Sequence, residues 1–274
     1  MRLEGQNWIN ERDVLPDFDE MLSDVTDWSD EQNKYPFRRT TTYNLLLMGK
    51  TRTGKTTVAK VLENPCYVPP DARLHSETKQ VTIHPVATTN IDDQRIFCFN
   101  IIDTPGMFDR VKKESKSLTN EKIKAAIDKC INDDVTNIHL FAFVISCQSN
   151  LDREDIQSMI FVKDNYPFLH DYIALIVTHC EETNDEQRHM KVAEFFESEQ
   201  VARHNLREFF GKRIFFMGSL RPELRVFPNR QCVRQQIRNV HQMREILIEY
   251  LIHLDPKNSF NIHRVGLDSS CSIL

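Results

Sequence analysis

The sequence predicts an α/β protein, three layers deep, with a mostly parallel central sheet. Two observations predict it. Tyr43–Met48, Leu140–Cys147 and Ile173–Val177 are continuous or nearly continuous apolar runs, the pattern of strands buried on both faces rather than one. Segments of helical period alternate with them, as after Asp152 and from Val233 to Leu254, which is the order of a sheet covered by crossover helices.

The elements follow in order. Residues 1–39 form an acidic, weakly periodic extension in which Asp13, Asp17, Asp19, Glu20, Asp24, Asp27, Asp30 and Glu31 are interrupted by Trp8, Phe18, Met21, Leu22 and Trp28. A docked helix and a free arm fit it equally. A globular part, residues 40–255, follows. Its first strand, Tyr43–Met48, leads through a loop into a short helix, Thr56–Glu63, which Pro65 closes. Val81–Ala87 and Arg95–Ile102, separated by the polar Thr89–Asp93 turn, read as a hairpin. An amphipathic helix carries Ile123, Ala126, Ile127 and Ile131 on one face. After the strand Leu140–Cys147, Asp152 caps a helix with Ile156, Met159 and Ile160 that ends before Pro167. Ile173–Val177 is a strand, a charge-rich helix starts near Asp185, and Ile214–Met217 is a short strand. The last helix places Val233, Ile237, Val240, Leu247, Leu251 and Leu254 in one stripe, and residues 256–274 form a tail.

Composition narrows the function classes. Of 274 residues, 40% are hydrophobic and 27% charged, which suits a real core under a normally solvated surface. The net charge of −5 lacks the basic excess of a nucleic-acid-binding surface, so no nucleic-acid partner is expected. The seven cysteines form no C-x-x-C pair, and their reading is buried, reduced thiols in a reducing compartment. The first residues hold no apolar signal-peptide core, and the longest apolar runs are too short to cross a bilayer. The expected location is cytoplasmic, with the cytosolic face of an internal membrane open to it. Glycine is scarce, seven residues where a typical share of roughly 7% would give about nineteen. Each interior one therefore marks a positive φ or a close ligand approach.

Gly49-Lys50-Thr51-Arg52-Thr53-Gly54-Lys55-Thr56 fits G-x-x-x-x-G-K-[ST] between a buried strand and a helix. The two glycines let the backbone curl so that successive N–H groups surround a phosphate, and the helix dipole adds positive potential. Lys55 neutralises the β- and γ-phosphates, and the Thr56 hydroxyl is the expected Mg²⁺ ligand. The α/β prediction thereby becomes a P-loop NTPase fold. Asp103-Thr104-Pro105-Gly106 follows a strand. Asp103 is placed for the metal shell, and Gly106 can offer its N–H to the γ-phosphate. Thr178-His179-Cys180-Glu181 ends another strand, where guanine-nucleotide proteins carry a T-K-x-D-like element. Glu181 stands where the acid would accept from guanine N1 and N2, and His179 where a side chain would stack. Alone, this tetrapeptide reads equally as a solvated strand end.

Together, Gly49–Thr57, Asp103–Asp109 and Thr178–Glu181 resemble the immunity-associated (GIMAP) type of P-loop GTPase, relatives of septins and chloroplast import-receptor GTPases. The resemblance covers about Thr41–Leu254, and Phe141–Asp155 is similar to the family's intervening segment. It implies that Thr51, Arg52, Thr53, Thr57 and the loop glycines contact GTP or GDP. It makes Thr78, in Ser76-Glu77-Thr78-Lys79, the second Mg²⁺ hydroxyl, with Thr82 as the alternative. It brings the Gly218 backbone of Met217-Gly218-Ser219 to the guanine. Two departures stand out: Met107 occupies the place of the water-positioning glutamine of Ras-like enzymes, and Asn150-Leu151-Asp152 lacks the family's arginine–aromatic–threonine run.

These readings imply a Mg²⁺-dependent GTP switch that hydrolyses slowly and self-associates as a homodimer or oligomer. Lys55, Thr78 and Gly106 would be its catalytic groups, and Thr56, Thr78 and Asp103 its metal ligands. A scaffold that binds GTP without turnover and assembles on a membrane is the alternative, and an ATPase a third reading. Cys271-Ser272-Ile273-Leu274 fits a C-a-a-X prenylation signal with few upstream basic residues, and a single chain anchors weakly.

Overall fold

A computed structural model describes residues 40–70, 80–89, 95–106, 137–147, 153–226 and 229–261. The 1–39 extension, the 123–131 helix, the Asp152 cap, Thr78, Met107 and Cys271 lie outside these residues, and so does most of the tail.

Six strands form one sheet in the order β2-β3-β1-β5-β6-β7. They are β1 (Thr40–Met48), β2 (Thr82–Thr89), β3 (Ile96–Asp103), β5 (Leu140–Ser146), β6 (Ile173–Thr178) and β7 (Ile214–Phe216). Every pair is parallel except β2–β3, the hairpin expected from the sequence. The sheet is mixed α/β and mostly parallel, as predicted. All seven residues of β5 and all six of β6 are buried, so both faces of the sheet are covered. β4 (Asn137–Ile138) pairs antiparallel with β8 (Phe260–Asn261) in a small second sheet.

The helices are α1 (Lys55–Glu63), α2 (Arg153–Asn165), α3 (Asp185–Glu197), α4 (Glu199–Ala202), α5 (Leu206–Phe210) and α6 (Arg230–Ile252). An Asn184–Gln187 capping box starts α3. Gly211, with φ +59°, ends α5 in the left-handed region, where glycine carries no Cβ penalty. The last helix stops at Ile252, two residues short of its predicted stripe. Leu254 instead gives its carbonyl to the Tyr43 hydroxyl at 3.0 Å.

β1 lies between β3 and β5, with β2 and β3 on one side and β5, β6 and β7 on the other. A crevice opens at the carboxyl ends of the strands at such a switch point. The loops after β1, β3, β6 and β7 share that edge. The amino edge is closed by polar ties: Asn44 N–H donates to His139 Nδ1 (3.0 Å), and His139 Nε2 lies 3.2 Å from the Pro256 carbonyl.

The cysteine expectation needs correction. Cys180 is buried and Cys98 and Cys147 are half-buried, but Cys66 and Cys232 are exposed. Cys66 follows Asn64-Pro65 just beyond the end of α1, and Cys232 lies in the first turn of α6. Neither position faces the core.

Candidate functional site

The loop Gly49–Gly54 is shaped by its glycines. Gly49 has φ +146°, and a Cβ there would come within 2.5 Å of the Val144 carbonyl. Gly54 has φ +91° and packs on the Thr178 side chain, where a Cβ would meet three atoms at 3.2–3.3 Å. Arg52, exposed at the loop's tip, also takes a left-handed φ of 66°. Thr53 is buried, and its hydroxyl closes the turn onto the Lys50 carbonyl at 3.0 Å. Thr51 and Thr57 are half-buried, on the loop and in the first turn of α1.

Lys55 is only 6% exposed, and its Nζ donates to the Gly49 and Lys50 carbonyls at 3.1 and 2.6 Å. The ammonium is thus held inside the curl, facing the space the loop encloses. Lys50 reaches outward to Asp155 of α2 at 3.4 Å. The N-cap of α1 is Gly54, which makes no side-chain cap hydrogen bond among the described residues, and a helix N-terminus favours an anion.

Thr56 Oγ1 donates to Asp103 Oδ2 at 2.6 Å, which joins the start of α1 to the end of β3. A hydroxyl and a buried carboxylate are hard oxygen donors of the kind Mg²⁺ takes, so these two residues fit the ion that the fold implies. Thr82 is registered opposite Asp103, but its hydroxyl turns to His84 Nε2 at 3.2 Å. Thr104 Oγ1 donates to the Leu47 carbonyl at 2.6 Å, fixing the start of the segment that presents Gly106.

The end of β6 supplies a second half. Thr178 Oγ1 donates to the Thr53 carbonyl (2.6 Å) and the Ile145 carbonyl (3.0 Å), so this hydroxyl bolts β6 to the phosphate-type loop. His179 has φ 60°, and Ser146 Oγ lies 3.0 Å from its Nδ1. Burial holds this imidazole below the usual histidine range, hence neutral. Glu181 is 3% exposed, and among the described residues its Oε2 has no hydrogen-bond partner. Burial pushes its carboxyl up, opposed by the Glu181 and Ser219 amides. Its carbonyl accepts from Asn239 Nδ2 of α6 at 2.8 Å.

Gly218 explains why that carboxylate fits. A Cβ there would come within 2.8 Å of Glu181 N and Oε2 and 2.9 Å of Glu181 Cβ, and its φ is not left-handed. Glycine is needed here to admit the Glu181 side chain rather than to bend the chain. Sequence reasoning placed the Gly218 backbone near the guanine and did not foresee this packing role.

The structure therefore brings Gly49, Lys55, Thr56, Asp103, Gly106, Thr178, His179, Glu181 and Gly218 to one edge of the sheet. Three residues found there were given no individual role in the sequence reading. Asp155 and Asn239 meet the site from distant helices, and Ser146 had been read only as part of an apolar strand.

The AIG1 family profile matches residues 43–244. No curated protein matches the chain. Among solved structures, similarity extends to Era in complex with MgGDPNP and a 16S ribosomal RNA segment, at 13% identity and a TM-score of 0.46. That likeness covers 79% of this chain and 58% of the Era chain, so this chain spans under two thirds of Era's length. Toc33 from Arabidopsis thaliana shares 16% identity at a TM-score of 0.44, covering 73% of this chain and 77% of that one. A septin GTPase domain from Chlamydomonas reinhardtii shares 17% at 0.41, covering 79% and 96%.

Proposed function

The chain belongs to the AIG1 family of GIMAP-type P-loop GTPases, and from that premise we propose that it is a GTP-binding switch with slow, Mg²⁺-dependent hydrolysis coupled to self-association. One observation carries the guanine assignment: the buried Glu181 carboxylate, admitted only by Gly218, stands at the same sheet edge as the phosphate-type loop. An unpartnered carboxylate oxygen matches the donor edge of guanine (N1–H and N2–H₂) and mismatches adenine, which offers an acceptor at N1.

The chain's own groups divide the work. The Lys50–Thr56 amides and Lys55 bind the phosphates and stabilise negative charge developing on the transferred group. Thr56 and Asp103 would hold magnesium, which neutralises the phosphate oxygens when bound. Thr78 would add a hydroxyl from the first switch, and Gly106 an amide to the γ-phosphate. The switches themselves would be the segments around Thr78 and from Met107 to Ser117, ordered by the γ-phosphate. Methionine at 107 can neither orient nor polarise water, so hydrolysis by one copy is slow and a second copy would complete the site. We place the protein in the cytoplasm, with a prenylated Cys271 as a weak membrane contact reinforced by oligomer avidity.

The decisive experiment is to extract and identify the bound nucleotide, then measure turnover per protomer against protein concentration. Guanine nucleotide with turnover that rises with concentration is expected. Adenine nucleotide overturns the assignment. Guanine with zero turnover at every concentration replaces the switch by a GTP-dependent scaffold.

A further inference from the structure

The turn that carries Glu181 is held from two helices. Thr183 N–H donates to the Cys180 carbonyl at 3.3 Å and closes the turn, and the Cys180 amide crosses to the Met217 carbonyl at 3.1 Å, next to Gly218. On one side Arg188 of α3, 2% exposed, gives Nε and Nη2 to the Thr183 carbonyl at 3.0 and 2.8 Å. On the other, Asn239 of α6 donates Nδ2 to the Glu181 carbonyl at 2.8 Å. Gln236 lies three residues before Asn239, on the same face of α6. Its Oε1 accepts the Arg221 N–H at 3.2 Å, and its Nε2 lies 3.5 Å from Glu182 Oε1.

Gln236 is out of character for its position. It is 6% exposed and opens the buried stripe of α6 that continues through Val240, Met243, Leu247 and Leu251. An apolar side chain would be buried there without needing partners, whereas a buried amide is costly unless hydrogen-bonded. Here the two ends of that amide reach the loop after β7 and the loop after β6, the two that form the base site. A cavity of about 500 Å³ is bordered by Glu181, Glu182, Arg221, Gln236 and Asn239. Space rather than close packing lies beside the turn on this side, so its alignment rests on the hydrogen bonds.

The same contacts sort two adjacent acids. The Glu182 carboxylate is drawn to Arg221, whose Nη1 donates to Oε1 at 2.7 Å. The Glu181 carboxylate packs against Gly218. For Glu182 to replace Glu181, it would have to give up both Arg221 and Gln236.

Given the guanine reading of Glu181, we infer that Asn239 and Gln236 are positioning residues for base selectivity: from α6 they hold the turn so that Glu181, and not Glu182, meets the guanine with both carboxylate oxygens. Guanine N1–H and one N2–H are parallel donors, and a carboxylate serves both only when it is aligned with them. Hypoxanthine lacks the 2-amino group and makes one of these bonds, which tolerates a tilt. A slackened turn therefore loses more with GDP than with IDP.

The test uses the full chain. Calorimetry follows GDP and IDP on the wild type, Asn239→Leu, Gln236→Met, Glu181→Gln and the Asn239→Leu/Glu181→Gln double variant, with a thermal melt of each. Asn239→Leu and Gln236→Met should each lose about tenfold in GDP affinity and under about twofold in IDP affinity. In the Glu181→Gln background Asn239→Leu should cost nothing further, because it acts through that carboxylate. A merely structural role would weaken both nucleotides alike and add to the loss from Glu181→Gln, and either result overturns the clamp. Gln236→Met decides the ratio if Asn239→Leu does not fold. A Glu181→Gln protein that binds GDP like the wild type overturns the guanine reading instead. Hydrogen exchange of the Cys180 amide, which crosses to Met217, then still decides the clamp: faster exchange in Asn239→Leu upholds it, and unchanged exchange overturns it.

Discussion

Replacing Gly218 by alanine tests the proposed base site with one methyl group. That carbon would sit 2.8 Å from Glu181 N, 2.8 Å from Glu181 Oε2 and 2.9 Å from Glu181 Cβ, all inside van der Waals contact. The amide and Cβ belong to the main-chain frame, and the Glu181 carbonyl is tied to Asn239. The strain therefore cannot be relieved by swinging a flexible tip; the 217–220 loop must lift or the carboxylate must leave. Overpacking of this kind costs about 1–3 kcal/mol. If it falls on the bound state, GDP affinity drops roughly five- to 150-fold, since each 1.4 kcal/mol is tenfold. Calorimetry with GDP, paired with a thermal melt of the free protein, separates the two places the strain can appear. Gly211→Ala is the control. Its nearest neighbours would be 3.9 Å away, and only the left-handed φ of +59° resists it, so it should lower the melting temperature and leave GDP binding unchanged. A Gly218→Ala protein with wild-type melting and GDP affinity within about twofold would refute the wedge and Glu181's place in the pocket.

The other tests probe separate links. Thr178→Val strips the donor from the Thr53 and Ile145 carbonyls, so urea unfolding should report a loss of about 1–3 kcal/mol, with weaker nucleotide binding as the loop slackens. Chelation with EDTA should lower wild-type GTP affinity by roughly tenfold or more while barely changing an already weak Thr56→Ala, because one metal then serves both effects; fluorescence titration with a labelled GTP checks this. Burial holds His139 below the ordinary histidine value of 6.5. A depressed pKa means that the unfolded chain binds the proton first, so stability is intact above pH 6.5 and is lost as pH falls through the folded-state value. His139→Gln should flatten that slope in melting temperature between pH 7.5 and 5.5, leaving the share from His179, which burial also depresses.

How much of this could be read from sequence depended on whether the contacts were local. Gly49–Thr56 declares itself because its chemistry occupies consecutive residues, and β5 and β6 declare themselves because burial on both faces erases alternation. The role of Gly218 did not show, since the group that forbids its side chain lies 37 positions earlier, in Glu181. Asn239 and Asp155 approach from helices whose sequence reads only as amphipathic. Leu254 fitted the helical stripe of α6, yet the Tyr43 hydroxyl recruits its carbonyl after the helix has ended. Periodicity cannot see a polar tie across 211 residues.

That tie, with its companion at His139, decides where the chain departs. Tyr43 holds Leu254, His139 lies against Pro256, and β4 pairs with β8, all toward the amino ends of the strands, while the phosphate-type loop and the Glu181 turn lie at the opposite ends. A pull applied at Asn261 would therefore load β4 and β1 at the amino ends of the strands before it reached the Gly49–Gly54 loop at the opposite ends.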